Sequence, residues 1–313
     1  MTSSRDCSKK RRRMSFEEAQ RLLDPSSLAK ISGLIVRARM IVEGSITGLH
    51  RSPFHGSSVE FAEHREYVPG DDIRHIDWKV FGRCDRYYIK QYEEETNLRV
   101  QLVLDASESM TYGSGAMSKL DYARTLAASL AYLILGQQDA VGALVFDEKI
   151  RAEAPISQSR SHLQDLVGVL AQQSGKDATD IGEVLGRVSD RLKRRCLIIL
   201  LTDLFDDKDG LVHGLRRLRH AGHDVLVLHV MDPDELNFPF TRMTLFEGLE
   251  DYPDQLADPE AVREAYLVEI REFMRELRRD FRNSGIQYQL ADCSRAFDQV
   301  LRESLVKRAG TTR

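Results

Sequence analysis

From residue 99 onward the sequence predicts an α/β fold, a doubly wound and mostly parallel sheet covered by helices. Three observations predict it. First, short apolar runs recur at residues 100–105, 140–146, 196–201 and 224–230. They are too uniformly apolar for strands with one wet face, so they read as strands buried on both sides. Second, stretches of helical periodicity fill the gaps between them, the alternation of β-α-β units with right-handed crossovers. Third, two of these runs stop abruptly at an aspartate, Asp105 and Asp203. In open α/β sheets the carboxyl ends of the strands are where ligands bind.

Composition sets the outer limits. A chain of 313 residues suits one large domain with an accessory region. A 42% hydrophobic and 30% charged composition describes a globular chain rather than a disordered one. The net charge of −4 and pI near 6.2 give no overall pull toward nucleic acid, and no nucleic-acid partner is expected. Cys7, Cys84, Cys196 and Cys293 lie far apart with no Cys-x-x-Cys pair, which argues against a zinc knuckle and for a reducing compartment. Nothing near Cys84 or Cys293 marks a lowered thiol pKa, so inert thiols are expected. No window approaches the roughly 20 apolar residues of a membrane span. Lys9 to Arg13 are all basic, but no apolar segment follows as in a secretory signal. The expected location is cytoplasmic, without an integral membrane segment.

The elements are justified in order. Residues 1–14 read as a flexible basic tail. Ser15–Leu23 and Ser27–Arg39 have helical character, with Pro25 between them and Asp24 or Ser26 able to cap the second. Gly44–Ser58 is rich in Gly, Ser and His and reads as loop. Residues 15–98 form an accessory segment ahead of the α/β unit. Within it Pro69-Gly70 predicts a type II turn, and Tyr87–Tyr92 has strand character. The dense block at 59–98 reads either as a partner surface or second charged site, or as a small subdomain in which Arg and Asp pair around a buried Trp78.

The α/β unit runs from 99 to 308, with a short tail at 309–313. The strand at 100–105 leads through a loop of small residues to a helix over Lys119–Leu135. Leu120, Ala123, Leu126, Ala127, Leu130 and Leu133 or Ile134 give that helix its apolar face. Ala140–Phe146 is the next strand, and Glu148–Glu153 an antiparallel edge strand. Helices are predicted over Ser161–Gln172 and Ile181–Lys193, a buried strand over Cys196–Leu201, a helix over Gly210–His220 and a strand over Asp224–Val230. Residues 232–259 break the alternation with four of the eight prolines and predict a hairpin or exposed loop. A helix over Ala261–Arg282 packs through Val262, Tyr266, Ile270, Phe273, Leu277 and Phe281. Its Arg275, Arg278, Arg279 and Arg282 cluster where cations suit the helix dipole. Interspersed Glu264, Glu269, Glu272 and Glu276 make this a mixed-charge face rather than a nucleic-acid stripe. A strand over Ile286–Leu290 and a helix over Phe297–Arg308 complete the unit.

The chemistry concentrates at Asp105-x-Ser107-x-Ser109. One carboxylate and two hydroxyls within five residues, at the end of a buried strand, are hard donors that suit Mg²⁺ or Mn²⁺. Alone the motif is moderate, because Asp and Ser also cap helices. Thr179, just before a predicted helix, and Asp203, at the end of a second buried strand, strengthen it. Parallel neighbouring strands would put Asp105 and Asp203 at one edge of the sheet, with three loops around one ion.

These residues resemble a von Willebrand factor A-type domain with a metal-ion-dependent adhesion site. Asp105, Ser107, Ser109, Thr179 and Asp203 match all five motif positions over about 99–308. The block Arg65-x-Tyr67-x-Pro69-Gly70-Asp71-Asp72-x-Arg74-x-Ile76-Asp77-Trp78 is similar to the one that the bacterial domain-of-unknown-function family fifty-eight places ahead of such a domain. The resemblance implies that Ser107, Ser109 and Thr179 ligate directly, while Asp105 and Asp203 ligate or act through water. It implies a MoxR-type AAA+ ATPase or its client as partner, offering an acidic residue to the metal in chaperone-like assembly or activation. Many members of that family carry N-terminal membrane helices, and that location is not carried over here. The expected function is a divalent-metal-dependent protein–protein interaction module, not an enzyme.

Rival chemistries are weaker. No Gly-x-x-x-x-Gly-Lys-Ser/Thr run is present, because Gly175-Lys176 is followed by Asp177. Gly113-Ser114-Gly115 lacks the third glycine of a dinucleotide loop. A metal-dependent hydrolase would need Glu108, Asp206 or Asp207 as a base, yet the last two also suit a helix N-terminus, and no His or Lys is expected in these loops. An adaptor that binds without the metal is the third reading.

Overall fold

In a computed structural model of the chain the described residues are 34–42, 59–68, 76–84, 86–94, 98–172, 181–205, 207–246 and 255–309. The expected basic tail, the helix at 15–23, the loop at 44–58, the turn at Pro69-Gly70 and Thr179 lie outside them.

The expected sheet is present. Its strands are β3 (Arg99–Asp105), β4 (Ala140–Phe146), β5 (Ile150–Ser157), β6 (Leu197–Thr202), β7 (Asp224–Met231) and β10 (Gln287–Asp292), in the order β10-β7-β6-β3-β4-β5. Every neighbour pairs parallel except β5, which runs antiparallel to β4 at the edge as the sequence predicts. The chain winds outward from β3 in both directions, so the strand order reverses between β3 and β6. That reversal is the topological switch point where such sheets bind ligands.

Strand alternation builds two cores. Leu102 and Leu104 of β3 and Ile199 and Leu201 of β6 face one side, packed against α3 (Lys119–Gly136), α4 (His162–Leu170) and α9 (Phe297–Ala309). Val103, Ile198 and Leu200 face the other, against α5 (Ile181–Arg191), α6 (Lys208–His220) and α8 (Pro259–Asn283). At roughly 25 cal/mol per Å² of apolar surface, two dry faces make these central strands the most strongly held part of the fold. Residues 34–42 form α1, and its Leu34, Ala38 and Val42, at helical i, i+4, i+8 spacing, are buried in the first core.

Helix boundaries follow their caps. α6 starts at Lys208 because Asp207 accepts from the N–H groups of Asp209 and Gly210, so Asp207 is the helix-end acid that the sequence allowed for. α8 starts two residues earlier than expected, with Asp258 as cap and Pro259 in the first turn. Val262, placed on its apolar face, is 39% exposed, while Ile270, Leu277 and Phe281 are buried. Residues 232–259 hold a short helix α7 (Pro233–Asn237) and a hairpin, β8 (Thr244–Phe246) with β9 (Gln255–Ala257).

Ahead of the α/β unit, β1 (Val59–Glu66) and β2 (Tyr88–Glu94) form an antiparallel pair, with α2 (Trp78–Cys84) between them in sequence. The expectation of a buried Trp78 is wrong, for Trp78 is 63% exposed. The residue taken inside is its neighbour Asp77, whose carbonyl accepts from Val80 and Phe81 to open α2. One residue turns a helix by about 100°, enough to carry Trp78 out of the face on which Asp77 sits. Trp78 instead meets Phe81 edge-on, and Phe81 stacks on Tyr87. Among the described residues no helix is long and apolar enough to cross a membrane.

Candidate metal site at the carboxyl edge of the sheet

β3 and β6 are hydrogen-bonded parallel neighbours, so their last residues reach the same edge. Asp105 closes β3, and Asp203 follows Thr202 at the end of β6. Both carboxylates are buried, at 3% and 1% exposure. The structure therefore brings Asp105, Ser107, Ser109 and Asp203 together as the sequence implied.

Local bonds shape the first loop. The Ser107 N–H donates to Asp105 Oδ1 at 2.9 Å, folding the chain back over the carboxylate. The Thr202 hydroxyl donates to Asp105 Oδ2 at 2.7 Å and ties the two strand ends together. The Ser107 and Ser109 hydroxyls lie 3.0 Å apart. Ser109 opens a single 3₁₀ turn, Ser109–Thr111, whose Met110 is fully buried and anchors the loop. Burial pushes the Asp105 carboxyl up to about 7, and the nearby Asp203 charge pushes the same way; the Thr202 and Ser107 hydrogen bonds oppose it only in part.

The second loop carries a feature that the sequence reading missed. No Lys was expected there, yet Lys119 Nζ donates to Asp203 Oδ2 at 2.8 Å and to Glu235 Oε1 at 2.5 Å, with a side chain only 1% exposed. Lys119 is the first residue of α3, set by Ser118, whose hydroxyl accepts from the Asp121 N–H. Burial alone would lower the Lys119 pKa, but the Asp203 and Glu235 carboxylates overcome it and hold the ammonium charged. Glu235 is itself fixed, because its other oxygen accepts from the Asp232 N–H in the capping box of α7. The Phe205 ring lies 5.3 Å from Lys119 Nζ and screens it from water.

Beneath Asp203, His229 of β7 is buried, with Nε2 2.9 Å from the Asp203 carbonyl and Nδ1 2.8 Å from the Tyr288 hydroxyl. A carbonyl only accepts, so Nε2 carries the proton and Nδ1 accepts from Tyr288. Burial drives the His229 pKa down to about 4 and keeps the ring neutral. Leu204, directly after Asp203, is buried at φ 60, a left-handed turn that bends the chain away from β6.

The donor set fits a divalent cation. The Asp105 oxygens accept from the Thr202 hydroxyl and from Ser107, and the two serine hydroxyls converge beside them. Among the described residues no group of three His, Cys, Asp or Glu side chains is placed to hold a metal ion, and the further oxygen donors at this edge are the serine hydroxyls. Hard oxygen donors of this kind match Mg²⁺ or Mn²⁺ rather than zinc. Asp203 differs from the simple expectation, since Lys119 occupies its Oδ2 and Oδ1 accepts from the Phe205 N–H at 3.3 Å. Two acidic side chains, Asp203 and Glu235, share the one Lys119 ammonium, and the Asp203 charge also acts on Asp105, so negative charge outweighs positive at this edge. Lys119 was hidden in the sequence, but Asp232 and Glu235 were findable, since they follow the buried strand β7 just as Asp203 follows β6.

Known proteins share parts of this chain. An uncharacterised protein of Mycobacterium bovis is 27% identical over 221 residues, covering 69% of this chain and 68% of its own length. A protein of Mycobacterium tuberculosis matches to the same extent. Among solved structures, an aerotolerance-related membrane protein from Bacteroides fragilis, with multiple mutations to serines, is 21% identical, covers 67% of this chain and 99% of that one, and superposes with a TM-score of 0.46. The conserved hypothetical protein BatB from Bacteroides thetaiotaomicron is 20% identical, covers 68% of this chain and all of that one, with a TM-score of 0.45. The family model described as "Protein of unknown function DUF58" matches residues 63–284, a span that takes in the end of β1, all of β2, both aspartates and Lys119, and the chain belongs to that family.

Proposed function

We propose that the chain is a divalent-metal-dependent protein–protein interaction module, not an enzyme. The observation that carries this is the pairing of Asp105 with two adjacent hydroxyls at the switch point of the sheet, under excess negative charge. A bound Mg²⁺ or Mn²⁺ supplies a Lewis-acidic position that takes a carboxylate from a partner. Asp105, Ser107 and Ser109 hold that cation, with Thr179 proposed as a further hydroxyl ligand and Asp203 acting directly or through water. Lys119 offsets one of the two charges of Asp203 and Glu235, which leaves negative charge for the cation while keeping it low enough that a partner acid can still be accepted. The partner we propose is a protein offering an acidic side chain, with a MoxR-type AAA+ ATPase or its client as first candidate on the family resemblance. A cytoplasmic place of action goes with that partner. The hydrolase alternative finds no support at Lys119, which is fully engaged by two carboxylates and cannot serve as a base.

The test is metal-linked stability. Mg²⁺ or Mn²⁺ is expected to raise the melting temperature of the wild type relative to chelator, and to leave Asp105→Asn and Ser109→Ala unshifted. Equal shifts in wild type and both variants would remove the site. Partner capture with wild type, with chelator and with Asp105→Asn as bait then separates metal-dependent recognition from an adaptor that ignores the metal.

A further inference from the structure

A second region, on the far side of β7 from the candidate metal site, has the makings of a docking groove. β10 is the end strand of the six-stranded sheet, and among the described residues no strand pairs with its outer edge. The Cys293 N–H donates inward to Met231 of β7, which fixes the alternation. By that alternation the amides and carbonyls of Tyr288 and Leu290 point outward, as an unpaired ladder. Beside this edge lies a groove of about 360 Å³. The C-terminal part of α8 forms one wall through Arg278 and Arg282; Ile286, Tyr288 and Leu290 line it along β10; Arg295 and Glu303 close the other side.

The charge of this groove is opposite to that of the chain as a whole. Three guanidiniums face one carboxylate, on a protein of net charge −4. Arg295 is paired with Glu303. Arg278 lies over the Tyr288 ring, 5.4 Å from its centroid. Neither Arg278 nor Arg282 has an acidic partner among the described residues, although Arg275 on the same helix pairs with Glu272. Arginine presents a planar fork suited to carboxylates, and stacking on an aromatic ring orients it.

We propose that this groove takes an extended, acidic segment of another protein, which adds a strand to β10 and sets its carboxylates against Arg278 and Arg282. Backbone bonds to Tyr288 and Leu290 give the attachment, the half-buried Tyr288 and Leu290 side chains take its apolar residues, and the arginines select for acid. The charge argues for an acidic occupant, and the open edge argues for a polypeptide rather than a free anion. The groove shares no residue with the candidate metal site, and its occupation needs no metal.

The test uses the full chain in chelator, with rhodamine-labelled ten-residue peptides read by fluorescence anisotropy. The probes are five repeats of Glu-Val, of Lys-Val and of Glu-Pro. Glu-Val is expected to bind, Lys-Val not to bind, and Glu-Pro, which cannot donate to a ladder at every second residue, to bind much more weakly. The double variant Arg278→Glu/Arg282→Glu, altering two exposed side chains, is expected to weaken Glu-Val binding roughly tenfold or more while keeping the wild-type melting temperature. The milder Arg282→Gln is expected to show a smaller loss in the same direction. Amide exchange at Tyr288 and Leu290 should slow when Glu-Val is bound. Equal binding of Glu-Val and Glu-Pro would overturn strand addition. Equal binding to wild type and the double variant would overturn the site. No binding of Glu-Val at millimolar peptide would overturn the proposal altogether, leaving the arginines as guards of a bare edge.

Discussion

The loop after β3 and the loop after β6 end neighbouring parallel strands in the same way, with a buried aspartate, and yet their surroundings are opposite. Asp105 sits among neutral donors, a threonine hydroxyl, a backbone N–H and two serines. Asp203 sits against a buried ammonium shared with Glu235. Burial therefore leaves Asp105 with a penalty that its neutral donors offset only in part, while Asp203 meets a cation from within the chain. Of the two, only Asp105 has an electrostatic need for an external cation. What looks like a symmetrical pair in the sequence is a carboxylate among neutral donors on one side and an internal salt bridge on the other.

The comparison can be broken or sharpened by experiment, with the largest effect first. Lys119→Met keeps the side-chain volume and removes the charge, stranding Asp203 and Glu235; the loss is expected to be about 3–5 kcal/mol by urea unfolding in chelator. A loss below about 1 kcal/mol would mean that the ammonium is not the counterweight to these two acids.

His229 comes next. Its folded pKa of about 4 lies below the ordinary 6.5, so the unfolded chain binds the proton first as pH falls. Its contribution is fully present above pH 6.5 and lost as pH drops toward 4, up to about 3 kcal/mol. Unfolding at pH 7.5 and pH 5 should show this acid sensitivity in wild type and a smaller one in His229→Gln.

The two Asp→Asn variants should then differ in sign. Asp105 has a folded pKa raised to about 7 from 3.8, so the fold disfavours its ionised form at pH 8. Asp105→Asn in chelator is expected to gain on the order of 1–3 kcal/mol, while Asp203→Asn, which deprives Lys119 of a partner, is expected to lose about as much. The same sign for both would erase the distinction between the loops.

The smallest effect lies outside the pair. Trp78 is exposed, so its emission should be water-like and quenched by iodide, and Trp78→Ala should change stability by less than about 0.5 kcal/mol.

Much of this was legible in the chain. The runs at β3, β4, β6 and β7 are apolar because both faces are covered, and that alone placed the strands to within a residue or two. The antiparallel β5 and the termini of Asp105 and Asp203 at one edge followed from order and parallel pairing. Lys119 was not legible. It opens a helix whose next apolar residues set the pattern, and a lysine in a first turn normally points to water. The approach of Asp203 after β6 and Glu235 on α7 turns it inward, and that is a tertiary event with no local signal. Trp78 failed for a different reason, since seven residues contain too few turns to fix which side of α2 is wet.

The Thr202 hydroxyl bond to Asp105 joins residues 97 apart in sequence, and it has a consequence for the time course of folding. The Asp105 loop cannot be completed while the chain is being made until β6 has emerged and docked beside β3. Loop closure of that span comes late, after the local α3–β4 crossover. A ligand that needed both loops would therefore meet no site in the early, partly folded chain and would not speed its assembly. It would act on the finished sheet alone, as a latch that slows unfolding.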